Sequence, residues 1–118
     1  MHKEIEDRDV LRYVEKKDPW SSHSIIRKWL ESFAPGTKVL DIGTSTGMLG
    51  RSCSESGFYL KGLEPVNEWA ELARPFYCEL LCSSLEQAPE EFVLSKMSLF
   101  VGMFWNTLLT LRKYLEGS

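Results

Sequence analysis

Most of the residues that usually announce a chemistry are scarce in this chain. Its 118 residues include three cysteines and two histidines. Cys53, Cys78 and Cys82 are odd in number and no signal peptide is expected before them, which argues against a disulfide framework. No further cysteine or histidine lies close to Cys78 and Cys82, so all three are expected as buried free thiols and no metal is expected. A long hydrophobic run is also lacking. The longest, 97 to 105, is interrupted by Ser98 and Gly102 and is too short to span a bilayer. The opening MHKEIEDRDV has no apolar core of the kind a signal peptide needs, so a cytoplasmic protein is expected. Basic excess is missing as well: 14 Lys and Arg stand against 17 Asp and Glu, for a net charge of -3. Arg27-Lys28 and Arg112-Lys113 are isolated pairs, so neither nucleic acid nor an anionic membrane is expected as a partner.

What is present is ordinary for one globular domain, with 43% hydrophobic and 26% charged residues. Residues 1 to 20 read as a charged arm or weak helix, with Ile5, Val10, Leu11 and Val14 as its aliphatic content. After the break at DPWSS, Ser21 or Ser22 is a candidate N-cap, and Ile25, Ile26, Trp29, Leu30 and Phe33 repeat at helical spacing up to Ala34-Pro35-Gly36. KVLDIG (38 to 43) reads as a buried strand, followed by a small-residue loop, GTSTG (43 to 47), and a helix that stops at Gly57. FYLKGLE (58 to 64) is a second strand. The helix after it carries Trp69, Ala70 and Ala73 on one side and breaks at Pro75. CELLC (78 to 82) is a third short strand, and 83 to 92 is mostly loop. Helices alternating with strands predict an α/β fold with a parallel sheet of three to four strands and flanking helices. Trp29 and Trp69 are expected in the core, and His23 is expected as a surface or capping residue, not a base.

In an open parallel sheet, ligands bind beyond the carboxyl ends of the strands. The stretch VLDIGTSTGMLG places Gly43 and Gly47 there, where a missing side chain lets a ligand approach the backbone. The helix after Gly47 offers amides to an anionic group. Glu64, closing the second strand, can accept both hydroxyls of a ribose, so the parts suggest an adenosine-containing ligand. A dinucleotide fingerprint requires G-x-G-x-x-G, and in the register ending at Gly50 its first glycine is Ser45. The pattern instead runs Asp41-x-Gly43-x-Ser45-x-Gly47, with an acid that suits an ammonium group better than a pyrophosphate.

This pattern resembles motif I of the class I S-adenosylmethionine-dependent methyltransferases, an acid followed by G-x-G-x-G, and GLEPVNEWAELAR resembles the family's second motif. The resemblance covers roughly three quarters of the chain. It implies a partial Rossmann-like methyltransferase fold with S-adenosylmethionine as cofactor. Asp41 would help hold the methionyl ammonium, directly or through water. Gly43, Thr44, Ser45 and Gly47 would line the methionyl moiety, Glu64 would clasp the ribose, and Pro65 would pack near the adenine. Ser84 and Leu85 of SSLE align with a third adenosine contact, where the family often has an acid. Ser45 replaces the central glycine and therefore needs a compatible backbone angle.

The family continues with a fourth strand, often F-D-V-I-V, and an acidic segment of the form D-V-L-E-H. Here the chain reads FVLSKMSLFVGMFWNTLLTLRKYLEGS. Met and Trp have single codons, so MFWNT is written ATG TTY TGG AAY ACN. Read one base earlier, it becomes NAT GTT YTG GAA YAC, whose middle codons mean Val-Leu-Glu and whose flanks allow Asp and His. The expectation is a frameshift between about Phe92 and Lys96. Residues 21 to 92 would then be the cofactor-binding half-domain, and 93 to 118 an out-of-frame tail. The rival reading is an internal deletion with WNTLLTLRKYLEGS a true helix.

The expected parent function is methyl transfer to a small or polymer-attached nucleophile that the sequence does not identify, and no catalytic residue can be named. A truncated chain of this kind is expected to be inactive and to bind cofactor weakly or not at all. Its sheet would carry an uncovered edge open to self-association. Two alternatives stay open: a non-catalytic cofactor-binding or interaction module, and a nicotinamide-dependent oxidoreductase fragment.

Overall fold

The computed structural model describes residues 13–15, 28, 30–95, 97–102 and 105–116. Ser21, Ser22, His23, Ile25, Ile26 and Trp29, which carry the expected first helix and its cap, lie outside the described residues. Lys28 and Leu30 are helical, and Leu30 is buried in the core. The elements in chain order are β1 (Tyr13–Glu15), β2 (Lys38–Ile42), α1 (Met48–Ser52), β3 (Tyr59–Leu63), α2 (Asn67–Ala73) running into a 3-10 turn (Arg74–Phe76), β4 (Glu79–Leu81), α3 (Glu90–Leu94), β5 (Leu99–Gly102) and α4 (Trp105–Glu116).

The result is an α/β fold with one parallel sheet of order β1-β5-β2-β3-β4. From β2 the chain steps outward through β3 to β4, then returns to the other side of β2 with β5. That reversal is the Rossmann-like switch point, and Ile42 pairs with Gly102 across it. β2, β3 and β5 are buried apart from the first residues of β2 and β3, and mostly apolar apart from Lys38, Asp41 and Lys61, as suits parallel strands covered on both faces.

Alternation along the strands creates two cores. Val39, Leu60, Leu80, Leu99 and Val101 face one side with Leu49, Ala70, Ala73 and Tyr77. Leu40, Ile42, Leu63 and Phe100 face the other with Leu85, Val93, Met97 and Leu111. Lys61 is the exception on the second face. Its Nζ donates to the Phe92 carbonyl at 2.6 Å and lies 4.1 Å from the Phe92 ring centroid, so a cation completes the C-terminal end of α3. Burial pushes the Lys61 ammonium below its ordinary value.

Several expectations change. The stretch around Val14 is an edge strand paired with β5, not a helix or a loose arm. Residues from Glu90 form a short helix in place of a loop, with Glu90 and Glu91 in a first turn where acids favour the dipole. β5 pairs with the inner side of β2, so the outer strands are β1 and β4. Trp69 is 46% exposed because Ala70 and Ala73 are the residues of α2 turned to the sheet. Cys53 is buried, but Cys78 and Cys82 flank the short outer strand β4 and are exposed. No helix among the described residues is long and apolar enough to cross a membrane.

Candidate functional site

The loop between β2 and α1 is held by backbone first. The Gly43 and Thr44 amides both donate to the Leu63 carbonyl, at 2.8 and 3.1 Å, which ties the start of the loop to the end of β3. The Gly47 amide then donates to the Thr44 carbonyl at 3.0 Å, and the Thr44 hydroxyl donates to the Ser45 carbonyl at 3.0 Å. This tight path requires left-handed backbone at three places: Gly43 with φ 85, Ser45 with φ 55 and Gly47 with φ 96. Ser45 thus adopts a conformation more usual for glycine, at the steric cost an L-residue carries there.

Glu64 meets this loop directly. It is 4% exposed, and its Oε1 accepts the Ser45 amide at 2.7 Å while Oε2 accepts the Val66 amide at 3.0 Å. Such charge-assisted bonds hold the carboxylate at the C-terminal end of β3, between the loop and the start of α2.

The two glycines have different roles. Among the described residues, a side chain at Gly43 would meet nothing within 4 Å. At Gly47 a Cβ would lie 2.9 Å from the Ala73 Cα and 3.3 Å from the Phe76 ring. Its missing side chain makes room for α2 packing. Gly50 is alike: a Cβ would come within 2.7 Å of the Tyr77 ring and 2.9 Å of Phe76.

Asp41 lies within β2. It is completely buried, and the Tyr77 hydroxyl donates to its Oδ2 at 2.5 Å. The same hydroxyl accepts the Gly50 amide at 3.2 Å. A first-turn amide of α1 expected to serve an anion is therefore already engaged, and α1 is only five residues long. Burial, then the Asp41 charge and hydrogen bond, raise the Tyr77 phenol well above its ordinary value, so it stays protonated and donating.

Pro65 is exposed beside Glu64. Ser84 is half-buried and its Oγ accepts the Gln87 amide at 3.3 Å, while Leu85 is buried in the second core. The structure thus joins Gly43, Thr44, Ser45 and Glu64 in one hydrogen-bonded unit. It turns Asp41 and Gly47 into the core and gives Ser84 a local turn bond. Tyr77 was missed from sequence. The signal available was Gly62, a glycine inside a buried strand, which marks a close approach; a Cβ there would lie 2.5 Å from Thr44 Cγ2 and 3.2 Å from the Tyr77 ring. A separate cavity of about 270 Å3, on Ser52, Cys53, Glu55, Ser56, Phe58 and Glu31, sits at the other end of α1. Among the described residues, no three His, Cys, Asp or Glu side chains gather as a metal site.

No protein-family model matches the chain, and no curated protein does. Among solved structures, the chain is similar to YjhP from E. coli, with 17% identity over 75% of this chain and 31% of that one, at a TM-score of 0.43. It is also similar to the glycopeptide N-methyltransferase MtfA, solved in complex with sinefungin, with 17% identity over 78% of this chain and 34% of that one, at a TM-score of 0.38. The chain spans about a third of the length of these two structures.

Proposed function

We propose that this chain is the cofactor-binding half of an S-adenosylmethionine-dependent methyltransferase, with the cofactor at the C-terminal end of β2. The observation that carries the reading is the contact between the Ser45 amide and the Glu64 carboxylate. It brings the glycine-like turn and the acid of the second strand together at the switch point of the sheet. The residues fit the cofactor in part. The left-handed turn at Gly43 suits the methionyl end, Glu64 suits the ribose hydroxyls and exposed Pro65 suits the adenine side. Ser84 and Leu85 would flank the adenosine, with Leu85 acting as a floor.

The bound sulfonium would supply an electrophilic methyl group, so the protein's own task is proximity and alignment. Glu64 would orient the ribose, and the Gly43–Ser45 backbone would fix the methionyl end. No described residue is assigned as a base, and the acceptor is a small or polymer-attached nucleophile. Binding is weak in this reading, because a ribose must share Glu64 with two backbone amides. An NMR titration tests it. S-adenosylmethionine at millimolar concentration should shift the Gly43, Ser45 and Glu64 amides while NAD leaves them in place. Unmoved loop amides would exclude the reading.

One observation favours a second reading, an interaction module. α4 is a helix and buries Leu111 in the second core. Hydrogen-exchange protection of the α4 amides together with an unresponsive loop would favour it. The frameshift remains our proposal for the tail, and the nucleotide sequence across residues 90 to 118 tests it.

A further inference from the structure

We propose that Tyr77 is a positioning residue for the cofactor loop, and that Asp41 acts through its hydroxyl instead of contacting the methionyl ammonium. The inference rests on the S-adenosylmethionine reading above. Tyr77 lies far from both its partners in sequence, yet one hydroxyl joins the end of β2, through Asp41, to the first turn of α1, through Gly50. A phenol has one proton to give and lone pairs to receive. The proton goes to the Asp41 carboxylate and a lone pair takes the Gly50 amide, so each bond strengthens the other. Loop 43–47 runs between these two anchored points.

The ring cannot swing aside. It rests where Gly50 and Gly62 have no side chains, since Cβ atoms there would approach it to 2.7 and 3.2 Å. Phe76, its neighbour, is packed against Gly47 and Gly50 and lies under the Arg51 guanidinium, 5.0 Å from ring centroid to Cζ. Arg51 in turn donates to the Thr46 carbonyl at 3.0 Å. The segment before β4 therefore holds the loop from below, while Glu64 holds it from the β3 side. Asp41 is wholly buried on this lower side.

The test uses the full chain with Tyr77→Phe, which keeps the ring and removes only the hydroxyl. Exchange of the Gly50 amide should accelerate about tenfold or more while Leu40 and Leu99 amides stay protected. Affinity for S-adenosylmethionine should fall about tenfold, the scale of one lost charge-assisted bond. Adding Asp41→Asn to Tyr77→Phe should then weaken binding little further. The proposal is overturned if Asp41→Asn weakens binding as much in the Tyr77→Phe background as in the wild type, or if Gly50 exchange is unchanged. A wild-type chain that ignores the cofactor would instead sink the functional reading, and Gly50 exchange would still decide whether Tyr77 holds the loop.

Discussion

β2 and β5 lie side by side, run in the same direction and are both buried, yet they differ in what their residues are required to do. In β5, Leu99, Phe100, Val101 and Gly102 need only be apolar and short enough to fit between β1 and β2. Many sequences meet that demand, which is why a segment we read as out of frame can occupy a central strand position. β2 must also place a buried acid at its end and turn through a left-handed Gly43 and a left-handed Ser45. Few substitutions satisfy all three. Packing specifies β5 loosely, and polar geometry specifies the end of β2 tightly.

The contrast can be tested by substitutions on each side. The largest effect should come from Phe100→Ala, which empties part of the second core beside Leu40 and Leu111. Urea unfolding should show a loss of about 3–5 kcal/mol. Phe100→Leu should recover most of it, as loose packing demands; failure to recover would mean β5 is as finely specified as β2. Gly50→Ala, by contrast, is a small change at a tightly specified site. Its Cβ meets Tyr77 and Phe76, so it should cost about 1–3 kcal/mol despite alanine's better helix propensity. A neutral result would show that the Tyr77 wedge yields easily.

A pH titration probes the same wedge more gently. The folded-state value of Tyr77 is raised above the ordinary 10.0. Its contribution to stability is therefore complete below pH 10 and lost as pH rises from there through the folded value. Thermal melts of the wild type should fall more steeply above pH 10 than those of Tyr77→Phe, and parallel curves would contradict the burial of the phenol. The smallest change should be a gain. Ser45→Gly relieves the left-handed strain at φ 55 but adds chain entropy in the unfolded state, for a net stabilisation of about 0.5–1 kcal/mol. A loss on calorimetric melting would mean the serine side chain contributes more than its backbone strain costs.

The legible parts of the molecule share a property. β2, β3 and β4 fall within a residue of the stretches 38 to 43, 58 to 64 and 78 to 82. The break at Pro75 is a real change from α2 to a 3-10 turn. Each is governed by local apolar runs, glycine or proline. Expectations failed where distant chain decides. Tyr13–Glu15 is a strand only because β5 offers it an edge. Trp69 is exposed because the smaller Ala70 and Ala73 let α2 approach the sheet.

The sequence by itself determined the alternation of strand and helix, the left-handed turn pattern of the loop and the acid at the end of β3. These follow from hydrophobic period, from residues that tolerate positive φ and from the position of a charge at a strand end. Tertiary structure alone decided that Asp41 faces a phenol, that Ala73 and Phe76 pack against Gly47, and that β5 closes against β2. Those outcomes depend on which side chains meet across the sheet, a long-range matter that no local pattern encodes.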